Sequence, residues 1–200
     1  LLGEKKQRLK QIDDLIKFPF KALKVAVINY ESTWRPEILE KLKEFDADMV
    51  IADESQRIKT YDTAQSKAMH ELGDQARYKL ILSGTPVQTA AIDIWSQYRF
   101  LDKSVFGDNF FKFRGRYAIM GGYGNKKIVG YKDLEGLIKK EHSIAFRVTK
   151  DEALDLPEQT FETRKIQFNQ KEKNLYERIK KDSYAELDGG GHITATTVLT

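Results

Sequence analysis

The sequence predicts an α/β fold in which helices cover both faces of a parallel sheet, followed by a mostly helical insertion. Short apolar runs of strand length alternate with longer amphipathic stretches up to residue 102. This alternation is typical of βαβ units, whose strands are parallel and buried on both faces. After Asp102 the chain becomes aromatic and basic, and the alternation ends. We therefore expect a sheet-containing first segment and a different second one.

Four helices are predicted in the first segment from apolar residues at helical spacing. Pro19 ends the first of them, because proline cannot continue a helix. Pro36 is tolerated in the first turn of the second. Asp62 or Thr63 caps the third, and Gly73 is expected to follow its end. The predicted helices are residues 4–17, 35–45, 62–72 and 92–101.

Three buried strands are predicted between these helices. Each is a short apolar run, rich in β-branched or large apolar side chains, that ends at polar residues. Such runs between helical stretches favour a parallel sheet. The predicted strands are residues 24–29, 48–52 and 78–82.

Beyond residue 102, we predict an aromatic and basic stretch, a glycine-rich hairpin, two helices and one strand. Phenylalanines spaced three and four apart in the aromatic stretch indicate a helix packing face more than a base-stacking surface. The hairpin contains glycines and lysines but matches no phosphate-loop spacing. In chain order these are residues 106–116, 121–130, 133–141, 161–168 (the strand) and 171–186.

Composition excludes several classes of protein. The 200 residues contain no cysteine, which excludes disulfides, thiolate zinc sites and cysteine nucleophiles. The three histidines lie far apart and lack metal-ligand spacing. No apolar run is long enough to span a bilayer. A cytoplasmic protein is expected, or a nuclear one if the source is eukaryotic.

Positive charge is concentrated in one segment. Residues 1–102 carry 16 basic and 16 acidic side chains, whereas residues 103–150 carry 11 basic and 4 acidic ones, a net charge of +7. Residues 151–200 have a net charge of −3. A basic segment of this kind either faces nucleic acid or forms a solvated surface. Its candidate DNA-backbone residues are Arg114, Arg116, Lys126, Lys127 and Lys132.

Two carboxylates follow the second predicted strand. Asp53 and Glu54 come directly after the apolar run ending at Ala52. Ligands collect at the carboxyl ends of parallel strands, where an aspartate can hold Mg²⁺ through water and a glutamate can orient an attacking water. A solvated loop would have the same local sequence, so this pair alone leaves both interpretations open.

Small hydroxyl side chains follow the third predicted strand in the sequence Ser83-Gly84-Thr85-Pro86. Hydroxyls at a strand end can bond to neighbouring carboxylates, although an ordinary strand-to-helix turn has the same composition. Two consecutive strand ends in one sheet would bring this turn beside Asp53 and Glu54. The combination is therefore more specific than either motif.

The two motifs resemble those of superfamily-two helicases, specifically the Swi/Snf family. The sequence has a D-E-x-x box at Asp53 and an S-G-T-P-x-Q box 30 residues later at Ser83. The stretches KVAVINYESTW at 24–34, RIK at 57–59 and FRVTK at 146–150 followed by Leu156-Pro157 also resemble family segments. The overall layout is similar to phage or annealing-helicase-like members.

The resemblance implies a RecA-like lobe that uses ATP and Mg²⁺ and moves along double-stranded DNA. It implies that Asp53, Glu54 and Gln56 act in catalysis, with Asp53 holding Mg²⁺ through water. It also implies that Ser83, Gly84, Thr85 and Gln88 couple the site to motion. By the same resemblance, Tyr30, Arg57 and Lys59 lie near DNA.

Two positions depart from the usual family pattern, and one family motif is not present. Gln56 stands where the family more often has histidine, and Thr89 where it usually has asparagine. The phosphate loop G-x-x-x-x-G-K-[ST] does not occur in the 200 residues. We therefore expect an excerpt of a longer protein. Its phosphate loop and second lobe would lie outside this chain.

The expected organisation is part of the first helicase lobe in residues 1–102, an insertion and return in 103–168, and a helix and linker in 169–200. Two other functions stay open at this point. One is a non-catalytic nucleic-acid-binding module that keeps the fold, and the other is an unrelated Mg²⁺-dependent hydrolase using Asp53 and Glu54. An intact phosphate loop in the full-length protein would favour the motor.

Overall fold

The computed structural model describes residues 1–19, 22–87, 89–153, 155, 161–165, 167–182, 184–186 and 192–194. The chain divides into two compact units, Leu1–Arg147 and Val148–Thr200. The first unit contains both helicase-like boxes and residues 103–147 of the basic segment. Gln88 and Leu156-Pro157, which the sequence singled out, lie outside the described residues.

The first unit alternates helices with short strands up to residue 101 and then continues with a helical segment that contains a hairpin. Its helices are α1 (Lys5–Lys17), α2 (Tyr30–Thr33), α3 (Pro36–Phe45), α4 (Ala64–Gln75), α5 (Ile94–Leu101), α6 (Lys103–Phe106), α7 (Phe110–Tyr117) and α8 (Leu134–Glu141). Its strands are β1 (Met49–Ala52), β2 (Tyr78–Ile81), β3 (Ala118–Gly121) and β4 (Lys127–Tyr131).

Strands β1 and β2 pair in parallel, with Met49 opposite Tyr78 and Ala52 opposite Ile81. The α/β fold class is therefore confirmed. Side chains alternate across β1: Ala52 is buried, whereas Met49 and Ile51 are about half exposed. The buried side of the sheet faces the hydrophobic core.

Two hydrophobic clusters hold the first unit together. The first packs α1, α3 and α4 around the β1 end, and its buried members are Ile12, Ile38, Leu42, Ala52, Ile58, Met69, Leu72 and Phe100. The second joins α5 to the basic segment through Ile94, Trp95, Tyr98, Phe110, Phe113, Tyr117 and Leu137. Helix α5 contributes to both clusters and therefore connects the sheet to the basic segment.

The glycine-rich hairpin predicted at residues 121–130 is present as the antiparallel pair β3–β4. Positive φ angles at Gly122 and Gly124 make the tight turn between the strands, where a side chain would be strained. Tyr123, between these glycines, is fully exposed. The aromatic stretch before the hairpin forms α7, and its Phe110 and Phe113 are buried as a packing face.

The second unit contains α9 (Lys150–Ala153), α10 (Gln170–Asp182) and the antiparallel pair β5 (Tyr184–Glu186) and β6 (His192–Thr194). Two predictions here are wrong. The helix expected over 171–186 ends at Asp182, and a strand follows it. The strand expected over 161–168 is absent from its described residues, 161–165 and 167–168, which pair with no neighbouring strand.

The predicted strand at residues 24–29 is also wrong, since no described residue in that stretch pairs in a sheet. Val25 and Val27 are 63% and 73% exposed. The stretch and β1 both line a groove of about 800 Å³. A strand needs a hydrogen-bonded neighbour at about 4.8 Å, and an apolar run alone does not provide one.

Gly73 was expected to follow the third helix, but α4 continues through it to Gln75. Thr63 caps this helix, its hydroxyl accepting from Ser66 N at 3.2 Å. A Cβ atom at position 73 would lie 2.7 Å from Phe100 Cδ2 and 3.1 Å from the Phe100 carbonyl oxygen. Glycine is therefore used here for close packing of α4 against α5.

We predict that Gly73→Ala destabilises the chain by about 1–2 kcal/mol, because the overpacking outweighs the better helix propensity of alanine. Gly115→Ala is the matched control, since Gly115 also lies within a helix but a Cβ there would meet no atom within 4 Å. It should raise stability by up to about 1 kcal/mol. Urea unfolding of both variants measures the difference, and a stabilising Gly73→Ala would contradict the packing described.

Among the described residues, no helix is both long and apolar enough to cross a membrane.

Candidate active site and basic surface

The two helicase-like boxes lie side by side at the carboxyl edge of the sheet. Asp53 and Glu54 follow β1, and Ser83 follows β2 two residues after Ile81. Backbone hydrogen bonds continue beyond the strand ends, from Leu82 N to Ala52 O at 3.0 Å and from Ser55 N to Leu82 O at 2.9 Å. These bonds fix the two loops against each other at the edge where ligands bind in parallel sheets.

A chain of hydrogen bonds joins the boxes through their side chains. Gln56 Nε2 donates to Glu54 Oε2 at 2.7 Å. Ser83 Oγ donates to Gln56 Oε1 at 2.6 Å, and Thr85 N donates to Ser83 Oγ at 3.1 Å. Gln56, where the family more often has histidine, therefore bonds to both boxes at once.

Glu54 has a left-handed backbone, with φ 50° and ψ 53°. This conformation costs a non-glycine residue of the order of 1 kcal/mol and turns the chain sharply after β1. Asp53 and Glu54 both remain exposed. Asp53 Oδ1 accepts a hydrogen bond from Glu54 N at 3.0 Å. The described residues contain no group of three or more acidic or histidine side chains that could hold a metal ion by themselves.

Tyr30 contacts the first box directly. Its hydroxyl donates to the Asp53 carbonyl oxygen at 2.7 Å. Burial, followed by the negative charge of Asp53, raises the pKa of Tyr30 to about 12. Tyr30 is therefore a neutral donor that supports the Asp53 backbone.

The two basic residues after the first box also have partners within the chain. Arg57 forms an ion pair with Glu31. Lys59 Nζ donates to Thr89 Oγ1 at 3.0 Å and lies 3.7 Å from Asp93 Oδ2. The structure thus places Thr89 in contact with the stretch that follows the first box.

Asp93 is a residue that the sequence motifs did not single out. Its Oδ2 atom accepts from Thr89 N at 3.1 Å and from Ala90 N at 3.2 Å. These bonds shape the loop between the S-G-T-P turn and α5. An acidic residue in the first turn of a predicted helix was the available signal, because such residues commonly accept from free backbone N–H groups.

The predicted DNA-backbone residues of the basic segment are dispersed over α7 and the hairpin with its flanking residues. Lys126, Lys127 and Lys132 are exposed on or beside β4. Arg114 lies over the Phe111 ring at 5.1 Å. Arg116 lies 3.4 Å from Asp133 Oδ2, an exposed contact. We call the three exposed lysines the hairpin lysines.

Comparison with known proteins gives the family of this chain. The sequence model of the SNF2-related domain matches residues 3–200. The chain belongs to the SNF2-related family. The resemblance and the fold class predicted from sequence are both confirmed.

Individual relatives agree with this assignment. The helicase-like transcription factor of Mus musculus is 32% identical over 158 residues, which are 75% of this chain and 15% of the relative. The putative ATP-dependent helicase/translocase YwqA of Bacillus subtilis (strain 168) is 30% identical over 151 residues, 74% of this chain and 16% of the relative. The helicase-like transcription factor CHR28 of Arabidopsis thaliana is 30% identical over 146 residues, 69% and 14% respectively. The chain thus spans less than a fifth of these SNF2-related relatives.

Proposed function

We propose that this SNF2-related chain forms the Mg²⁺- and water-facing wall of an ATP site in a motor that moves along double-stranded DNA. The hydrogen-bonded chain from Thr85 through Ser83 and Gln56 to Glu54 is the observation that carries the proposal. It connects a carboxylate at one strand end to a small turn at the next. ATP hydrolysis by the full-length protein, with and without duplex DNA, is the test.

Asp53 and Glu54 have separate roles in this proposal. The exposed Asp53 carboxylate suits Mg²⁺, which binds through one or two carboxylates and keeps several waters. When bound, Mg²⁺ would neutralise charge that develops on the phosphates. Glu54 orients the attacking water and polarises it, while the Gln56 amide holds one carboxylate oxygen in place. The carboxylates and the amide present at this site therefore fit Mg²⁺ and ATP.

Ser83, Gly84, Thr85 and Gln88 are proposed to couple the site to motion. The Ser83 hydroxyl accepts from Thr85 N and donates to Gln56, so a shift of the turn moves the amide that holds Glu54. A preorganised carboxylate accelerates hydrolysis most when its position changes little during the reaction. A moving turn can therefore switch hydrolysis on or off.

The organisation predicted from sequence stays a proposal. Residues 1–102 would be part of the first RecA-like lobe, 103–168 an insertion and return, and 169–200 a connection to the second lobe. The phosphate loop and the second lobe would belong to the same protein, outside these 200 residues. The location of the protein in cytoplasm or nucleus stays a prediction.

The basic segment is proposed to contact the DNA backbone. Its net charge of +7 in 48 residues contrasts with a neutral first half. Lys126 and Lys127 are exposed at the turn end of the β3–β4 hairpin, and Lys132 is exposed at its other end, directly after β4. Tyr30, Arg57 and Lys59, also predicted near DNA, have partners within the chain, so we expect them to contribute less binding energy.

We predict that charge reversal at Lys126, Lys127 and Lys132 in the full-length protein weakens duplex binding on unrelated sequences alike. Backbone contacts release counterions, so each lost contact should flatten the log–log salt dependence by about 0.9 unit. The triple variant should therefore lose about 2–3 units of slope. A salt titration of duplex affinity measures it.

The matched control is Lys6→Glu, Lys10→Glu and Lys67→Glu, three exposed lysines on α1 and α4. It changes the net charge equally but should leave the slope close to wild type. ATP affinity should be unchanged in both variants. Equal slopes for all three proteins would mean that the hairpin lysines form only a solvated surface.

The non-catalytic alternative keeps the fold and the DNA surface but uses no ATP. It predicts the same salt titration and no hydrolysis by the full-length protein. The third possibility, an unrelated Mg²⁺-dependent hydrolase, loses its support because the whole chain matches the SNF2-related domain.

A further inference from the structure

Two polar side chains are fully buried together beneath the candidate active site. Ser55, which directly follows Glu54, and Gln97 of α5 are both 0% exposed. Ser55 Oγ donates to Gln97 Oε1 at 2.7 Å. A buried polar pair is unfavourable unless its hydrogen bonds are satisfied, so its presence in an otherwise apolar region requires explanation.

Gln97 uses every hydrogen atom of its amide. Its Nε2 donates to the Pro86 carbonyl oxygen at 2.6 Å and to the Asp93 carbonyl oxygen at 3.1 Å. Both partners can only accept, which fixes the orientation of the amide. The reversed amide would place Oε1 against two carbonyl oxygens. Gln97 is therefore held in one rotamer between three partners.

These bonds join the two boxes from the inside of the protein. Ser55 belongs to the first box and Pro86 to the S-G-T-P turn. On the solvent side, Gln56 and Ser83 join the same two segments. The turn is thus attached to the first box twice, and the buried attachment involves neither carboxylate.

Helix α5 extends this attachment to the basic segment. Trp95 and Tyr98, on either side of Gln97 in the chain, pack in the second hydrophobic cluster. The Trp95 and Phe110 rings lie 5.5 Å apart, and the Tyr98 and Phe106 rings 5.1 Å apart. Gln97 therefore connects the turn to the helix on which the basic segment is packed.

We propose that Gln97 is a positioning residue that couples the S-G-T-P turn to the basic segment. This role rests on the proposed function and adds a buried connection to it. Gln97 touches no substrate. It sets how far the turn can move relative to Glu54 when DNA displaces the basic segment.

A purely structural role for the pair is the alternative, and double substitution separates the two. Gln97→Met keeps the side-chain length but leaves the Ser55 hydroxyl buried without its acceptor, so it should destabilise the protein. Adding Ser55→Ala removes that unpaired hydroxyl and recovers its part of the lost stability, whereas the Pro86 and Asp93 carbonyl oxygens still lack the Gln97 amide. Folding stability and coupling are thereby measured apart.

The experiment uses the full-length protein, with ATP hydrolysis measured at saturating duplex DNA. We expect the Ser55→Ala/Gln97→Met variant to unfold at a higher midpoint than Gln97→Met alone and a lower one than wild type, and to be folded at the assay temperature. Its DNA-stimulated kcat should fall about tenfold, because the turn is no longer held in position relative to Glu54. Its KM for ATP and its duplex affinity should stay within about twofold of wild type. Wild-type kcat in this variant would overturn the coupling role.

Ser55→Ala alone provides a second test if the double variant does not fold. It removes one hydroxyl and keeps both bonds of Gln97 to the backbone. We expect a DNA-stimulated kcat lowered about threefold, and an unchanged kcat would contradict the role. Absence of duplex-stimulated hydrolysis in the wild type would overturn the proposed function and this role together. Stimulated wild type with unaffected variants would overturn the role of Gln97 alone.

Discussion

Glu54→Gln in the full-length protein is expected to lower kcat for ATP hydrolysis by about 10²–10⁴-fold, the usual contribution of a positioned general base. Glutamine has nearly the same shape but cannot accept the proton of the attacking water. ATP binding should be largely retained, because Glu54 does not hold the nucleotide in this proposal. Steady-state hydrolysis and nucleotide titration measure the two effects.

Glu40→Gln is the matched control for this substitution. Glu40 is an exposed carboxylate on α3 whose ion pair is with Lys43 of the same helix. Removing its charge should leave hydrolysis unchanged. If Glu54→Gln hydrolysed ATP at the wild-type rate, Glu54 would be an ordinary loop carboxylate.

The second large effect concerns the 200-residue chain by itself. We expect it to hydrolyse ATP at least about 10³-fold more slowly than the full-length protein, with or without DNA. The sequence contains no G-x-x-x-x-G-K-[ST] loop to hold the phosphates. The family resemblance places the arginine finger in the second lobe, and such a finger is worth about 10³–10⁵ in rate.

Phosphate release from the purified chain measures this directly. Far-UV circular dichroism shows whether the chain is folded in the same preparation. Turnover by the isolated chain at the rate of the full-length protein would mean that the 200 residues contain a complete ATP site.

The sequence correctly predicted the strands that find a pairing partner in the structure. Residues 49–52 and 78–81 read as strands and pair with each other. Residues 24–29 have an equally apolar pattern, yet they are not paired in the described structure. Strand formation depends on a partner far away in the chain, which composition cannot indicate.

The sequence predicted the part of the candidate site in which two motifs directly follow consecutive strands. That argument brought Glu54, Gln56 and Ser83 to one edge without knowledge of their bonds. It gave no reason to select Gln97, whose neighbours in α5 are mostly apolar. A polar side chain on a buried helical face was the available signal, and only the tertiary contacts to Ser55 and Pro86 give it meaning.

Gly73 shows the opposite error. Glycine often follows a helix end, and the sequence was interpreted in that way. In the structure Gly73 lies inside α4. It is glycine because Phe100 approaches too closely for a side chain. A position can require glycine either for its conformational freedom or for its small size, and the sequence alone does not distinguish the two requirements.

ATP hydrolysis by the full-length protein, measured with Mg²⁺ in the presence and absence of duplex DNA, tests the central proposal most directly. We predict that hydrolysis requires Mg²⁺, increases on adding duplex of any sequence, and falls by about 10²–10⁴-fold in the Glu54→Gln variant. Duplex binding without any hydrolysis by the wild-type protein would contradict it and favour the non-catalytic nucleic-acid-binding module.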